Sequence, residues 1–137
     1  DGYKQWNAYV VNCQVETLVQ KFVDAGKLCR DDEQFCRSTE FWTGALRVGV
    51  SGQSVIYRIE SGQLVSVTQT ANVVKEGDNE FGFEASDATW RNLLAGPSDA
   101  TTKISANRVG DLTRTGDRAA YWRHYPAMRR LLELMPE

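Results

Sequence analysis

The chain has 137 residues, 42% of them apolar and 25% charged, with a formal net charge of −2. That is about one domain, long enough for a hydrophobic core that needs no disulfide or metal to hold it. The net charge favours neither DNA nor an anionic membrane, and no apolar run approaches the roughly 20 residues that span a bilayer.

The chain opens at Asp1 without a starting Met, as at a processed end or the edge of a domain cut from something longer. No basic-then-apolar leader is present, so the expected setting is cytoplasmic. Residues 5–29 read as a helix, because Val11, Val15, Leu18, Phe22, Ala25 and Cys29 recur at alternating spacings of three and four. Residues 30–38, with Asp31, Asp32 and Glu33 in a row, read as a solvated loop or a short second helix.

The period then changes to two. Leu46, Val48 and Val50 alternate with Ala45, Arg47 and Gly49, and Val55, Tyr57 and Ile59 follow the turn at Ser51-Gly52. A second turn at Ser61-Gly62 leads into Leu64 to Thr70, and Phe81-Gly82-Phe83 resumes the alternation after a polar gap. The expectation is a meander of about four antiparallel strands, with turns too short for parallel crossovers.

Helix returns in the last third. Ser86 is an N-cap for a helix through Ala95, with Trp90, Leu93 and Leu94 on its apolar face and Gly96-Pro97 as its stop. Ser98 begins a second short helix to about Asn107, and Val109 to Thr115 reads as a fifth strand with Leu112 inward. Asp117 caps a final helix on which Tyr121, Tyr125, Met128, Leu132 and Met135 share a face. Pro126 lacks an N–H and should kink that helix or divide it into two.

Signatures of catalysis are sparse. His124 is the only histidine, and the nearest approach to a nucleophile elbow, Gly49-Val50-Ser51-Gly52-Gln53, lacks the final glycine and lies in a hairpin. There is no phosphate-binding glycine loop. Cys13, Cys29 and Cys36 lack metal or redox spacing and read as reduced, packed cysteines. No metal or cofactor is expected. Arg114, Arg118, Arg123, Arg129 and Arg130 form a basic cluster in an otherwise acidic chain. They are either a solvated helix face or an attraction for an anionic headgroup, with Arg123 and Arg130 on one face as the headgroup candidates. No basic-aromatic strand pattern for nucleic acid accompanies them.

The order of elements, and three segments above all, resemble the sterol carrier protein type 2 family. The segments are 81–96 (strand, capped helix with an aromatic, Leu93-Leu94 and Gly96), 112–117 (strand ending in Gly116-Asp117) and 57–65 (strand, turn, strand). The resemblance covers 41–135, with 1–40 as an additional N-terminal helical segment of the same domain. The chain departs from the family where 97–103 is polar and where Pro126 interrupts the last helix.

The resemblance implies an α+β fold, a five-stranded mainly antiparallel sheet covered by helices. It also implies an apolar cavity between the two layers for a fatty acid, acyl-CoA, sterol or phospholipid. Tyr57, Ile59, Phe83, Trp90, Leu94, Tyr121, Tyr125, Met128 and Leu132 are then the expected ligand-binding residues. A lined cavity and a packed core use the same residue types, so both readings stay open. Two alternatives to ligand carriage remain. One is an accessory or dimerisation domain of a larger enzyme, with the 11–29 stripe packed on a partner. The other is a small enzyme with a deep apolar pocket and His124 or an aspartate as base.

Overall fold

The computed structural model describes residues 2–72, 75–95 and 110–135, and for residues 2–14 the backbone alone. Helix α1 (Gly2–Cys29) and the short α2 (Glu33–Ser38) precede strands β1 (Gly44–Val50), β2 (Gln53–Glu60), β3 (Gln63–Thr70) and β4 (Glu80–Ala85). Helix α3 (Asp87–Leu94), strand β5 (Thr113–Gly116) and helix α4 (Arg118–Glu133) follow. The α+β class and the five-stranded sheet are as expected. The helix proposed for 98–107 and the stop at Gly96-Pro97 lie outside the described residues, as does Val109, and the fifth strand starts at Thr113.

The simple antiparallel meander does not hold. The sheet order is β3-β2-β1-β4-β5, and β4 pairs with β1 in parallel while the other pairs are antiparallel. The two hairpin turns are as short as the sequence suggested, with Ser51 and Ser61 at positive φ ahead of Gly52 and Gly62. The difference lies in the polar gap before β4. Chain at about 3.3 Å per residue covers the roughly 15 Å of three strand spacings, so β4 reaches the far side of β1. The gap crosses the face that the helices leave open: the Asn72 carbonyl accepts from Ser54 Oγ at 3.0 Å, and Glu76 meets Arg47 at 2.7 Å.

Register then sorts the side chains. Leu46 stands between Tyr57 and Phe81, and Val48 between Val55 and Phe83, so β1, β2 and β4 present one continuous apolar face. The α1 stripe from Val15 to Cys29 is buried in the same core as that face. Gly26 lets α1 settle onto β2, because a Cβ there would lie 2.7 Å from the Tyr57 ring. The stripe therefore packs on its own sheet.

The opposite face of β1 carries Ala45, Arg47 and Gly49, and Arg47 is buried there. Its guanidinium meets Glu76 at 2.7 Å and Glu84 at 3.0 Å, and donates to Ser54 Oγ at 3.1 Å and Thr115 Oγ1 at 3.3 Å. Thr115 also hydrogen-bonds Glu76. One side chain thus ties the crossover to β1, β2, β4 and β5. Gly49 makes room, since a Cβ there would sit 2.5 Å from Glu84 Cγ and 3.1 Å from Arg47 Nη1.

Helix α4 runs unbroken from Arg118 to Glu133 through Pro126, so the division into two short helices does not occur. Tertiary packing on both sides of the proline, by Tyr121 and Met128, holds the helix together. Asp32 is not part of a solvated loop. It caps α2 by accepting from Phe35 N at 2.9 Å, and it receives two bonds of 2.8 Å from Arg130. These bonds, Arg130's foremost, hold its carboxyl below the ordinary value.

Candidate functional site

The apolar layer between sheet and helices is the candidate site. Two caps place its helical wall. Ser86 accepts from Thr89 N and starts α3 so that Trp90 and Leu93 turn inward. Asp117 accepts from Ala119 N, Ala120 N and Asn79 N, which fixes the start of α4 against the β4 entry. The Asn79 bond is the largest cause of the lowered Asp117 pKa.

Of the nine residues expected to line a ligand site, seven lie in this layer as buried core, and Tyr125 and Leu94 pack half-buried at its margin. They fall into two groups. Tyr57, Ile59 and Trp90 lie with α1: the Tyr57 hydroxyl donates to Phe22 O at 2.7 Å, and the Trp90 ring meets Phe22 edge-on at 5.3 Å. Trp90 Nε1 donates to Gly49 O at 2.9 Å. The polar handles of this group are therefore taken up by the protein itself.

The second group lies under α4. Phe83 and Tyr121 are in ring contact at 5.9 Å, and Tyr121 and Tyr125 at 6.0 Å, with Met128 and Leu132 on the next turns. Among the described residues, neither tyrosine hydroxyl has a hydrogen-bond partner, and no buried side-chain polar atom is left unpaired. Both hydroxyls therefore reach accessible space. Arg114 lies over the Tyr121 ring at 4.3 Å, a cation–π contact that the strand pattern of 109–115 did not single out.

The two headgroup candidates differ. Arg130 is held by Asp32 and, at 3.0 Å, by Glu133. Arg123 is exposed on α4 and, among the described residues, has no carboxylate within ion-pair distance. Arg47, the buried cation on the other face of the sheet, was not singled out by the sequence. Its only signal was a charge at an alternate position of an apolar strand, and its partners are remote in sequence.

His124 stacks on Trp42, rings 4.4 Å apart and 6° from parallel, with Nδ1 3.0 Å from Ser38 O. Ser51 pairs instead with Asp87 at 3.0 Å. The described residues thus bring no serine hydroxyl or carboxylate to His124. They also hold no group of three potential metal ligands. Among the described residues, one open cleft of about 410 Å³ lies beside Ser38, Arg129 and Arg130, and another of about 370 Å³ beside Ser51, Glu84 and Asp111.

Cys29 is buried, and burial is the main reason its thiol is pushed up to about 12, whereas Cys36 is exposed. A maleimide at neutral pH is expected to label Cys36 and to spare Cys29 until denaturant is added, read by peptide mass mapping. Equal labelling of both in native protein would mean that α1 and α2 are not docked as described.

No model of a known protein family matches the sequence, and no curated protein matches it. Among solved structures, a crystal structure of sterol carrier protein 2 is similar, with a TM-score of 0.63 and 17% identity over 86% of this chain and 92% of that one. A solution structure of a conserved hypothetical protein from Thermus thermophilus, suggested to be a sterol carrier protein, gives a TM-score of 0.60 and 20% identity over 82% of each chain. With its helices on one face of a sheet ordered β3-β2-β1-β4-β5, the chain has the fold of sterol carrier protein 2.

Proposed function

We propose that the chain binds a single-chain amphipathic lipid, with its apolar part between sheet and helices and its polar end beside α4. The observation that carries this reading is the Phe83–Tyr121–Tyr125 group, an apolar wall whose two hydroxyls have no protein partner among the described residues. A carboxyl or hydroxyl headgroup would supply one. Tyr57, Ile59, Trp90, Leu94, Met128 and Leu132 continue the wall in this reading. Arg123 and Arg114 are the cations open to an anionic head, and Arg130 would first have to release Asp32. The names of the two similar structures point toward carriage of an apolar molecule, a sterol in their case.

The test is uptake of a fluorescent fatty acid by delipidated protein, with native mass spectrometry of the untreated protein alongside. One equivalent should bind. Affinity should rise with chain length by roughly fourfold per methylene, as burial at about 0.8 kcal/mol per CH₂ requires. Tyr125→Asp should weaken binding at least about tenfold with the circular dichroism spectrum unchanged, because Tyr125 lies at the margin of the layer. Absence of uptake together with a bare native mass would sink the proposal.

A further inference from the structure

The outer face of α4 sets an exposed tryptophan among arginines. Arg118, Trp122, Pro126, Arg129 and Glu133 share the side of the helix away from the buried Ala127, Met128 and Leu131, and Arg129 pairs with Glu133 at 3.3 Å. Trp122 is 66% exposed. It is not a dangling side chain: its ring meets Tyr121 edge-on at 5.2 Å, and Tyr121 is anchored in the core.

Charge adds a second, independent observation. Among the described residues, Arg114, Arg118, Arg123, Arg129 and Arg130 outnumber the neighbouring carboxylates Asp32, Asp117 and Glu133 by two, in a chain whose total charge is −2. The remaining surface is correspondingly negative. A negatively charged plane would therefore attract the molecule with α4 foremost and repel its other sides.

We propose that this face of α4 docks the protein onto an anionic lipid surface, with Trp122 entering the headgroup layer and Arg118 and Arg129 contacting lipid phosphates. The composition selects lipid over an acidic protein. A protein interface needs a desolvated apolar centre within about 800 Å² per partner, and this face offers one indole and one proline. A single tryptophan flanked by guanidinium groups, with Glu133 the carboxylate beside Arg129, suits the bilayer interface, where indoles settle at headgroup depth and arginine forks onto phosphate. The proposal stands on α4 and the charges around it and does not depend on the ligand reading.

Co-flotation of the delipidated, intact chain with vesicles tests it. The protein should float with phosphatidylcholine–phosphatidylglycerol vesicles, stay behind with phosphatidylcholine alone, and release in high salt. Trp122→Ala and the double variant Arg118→Glu/Arg129→Glu should each lower the partition coefficient at least about tenfold while fatty-acid uptake is unchanged. Failure to float with the anionic vesicles overturns the proposal, as does flotation that neither variant weakens. Trp122-dependent capture by an acidic peptide without vesicle binding would reassign the face to a protein partner and also overturn it. Flotation without fatty-acid uptake would support docking and count against the proposed ligand alone.

Discussion

Arg47→Ala is expected to destabilise the protein by about 3–5 kcal/mol, among the largest losses available to a single substitution in this chain. The side chains of Arg47 and Glu76 are only 4% and 7% exposed, so the variant would leave a buried carboxylate without its cation. Removing that charge as well, in Arg47→Ala/Glu76→Gln, should recover part of the loss, since a neutral amide is far less costly to bury than an ion. Chemical denaturation of the wild type and both variants measures it. An Arg47→Ala loss below about 1 kcal/mol, the range of an exposed pair, would show that the crossover does not close over the open face of the sheet.

The same pair sets a pH dependence. Burial acts to raise the pKa of Glu76, but the hydrogen bonds from Thr115 and Arg47 and the charge of Arg47 outweigh it and hold the carboxyl below its ordinary value of 4.5. A carboxyl whose folded pKa is depressed contributes stability above its unfolded pKa and loses it as pH falls through the folded one. Wild-type stability should therefore decline below about pH 4.5, and the depressed Asp32 and Asp111 carboxyls act in the same direction. In Arg47→Ala, burial keeps the Thr115 hydrogen bond as an opponent but loses the hydrogen bond and the charge of Arg47. Neutralising Glu76 then relieves the variant, so its deficit should narrow on acidification. A deficit that does not change with pH would mean that Glu76 is well solvated.

How much of this was legible in the sequence follows from the range of each interaction. Ser86 and Asp117 were readable as caps because a cap bonds amides two or three residues away, and Leu46, Tyr57 and Phe83 were readable as an inward face because alternation is local. The resemblance in 57–65, 81–96 and 112–117 led to the right fold. The partner of β4 was not readable. An antiparallel return beside β3 and a parallel seat beside β1 bury the same Phe81 and Phe83, and the choice rests on Arg47, Glu76, Ser54 and Asn72 meeting across the open face. Arg130 looked like a free headgroup cation for a similar reason, since Asp32, which binds it, lies at the other end of the chain. Pro126 was read by its local rule, and the packing of Tyr121, Met128 and Leu131 overrides that rule. Tyr57 and Trp90 were rightly placed in the apolar layer, but nothing local showed that Phe22 O and Gly49 O take their polar atoms.

Trp90 brings stability and the proposed ligand site together. It is fully buried, its ring edge rests on Phe22, and its indole N–H is bonded to the β1 backbone. Trp90→Ala should cost about 3–5 kcal/mol, a large share of the 5–15 kcal/mol typical of a domain, and lower Tm by about 10–20 °C. Trp90→Phe keeps much of the apolar volume and gives up the bond to Gly49 O, so its cost should be nearer 1–3 kcal/mol. The two variants separate packing from hydrogen bonding. They also bear on whether Trp90 borders the ligand. A fatty acid that reaches the void left by Trp90→Ala would fill apolar space that the protein cannot close, and would raise that variant's Tm by more than it raises the wild type's. An equal shift in both would confine the ligand to the Phe83–Tyr121–Tyr125 side of the layer, with Trp90 belonging to the seam between α1 and α3 that holds the helical layer on the sheet.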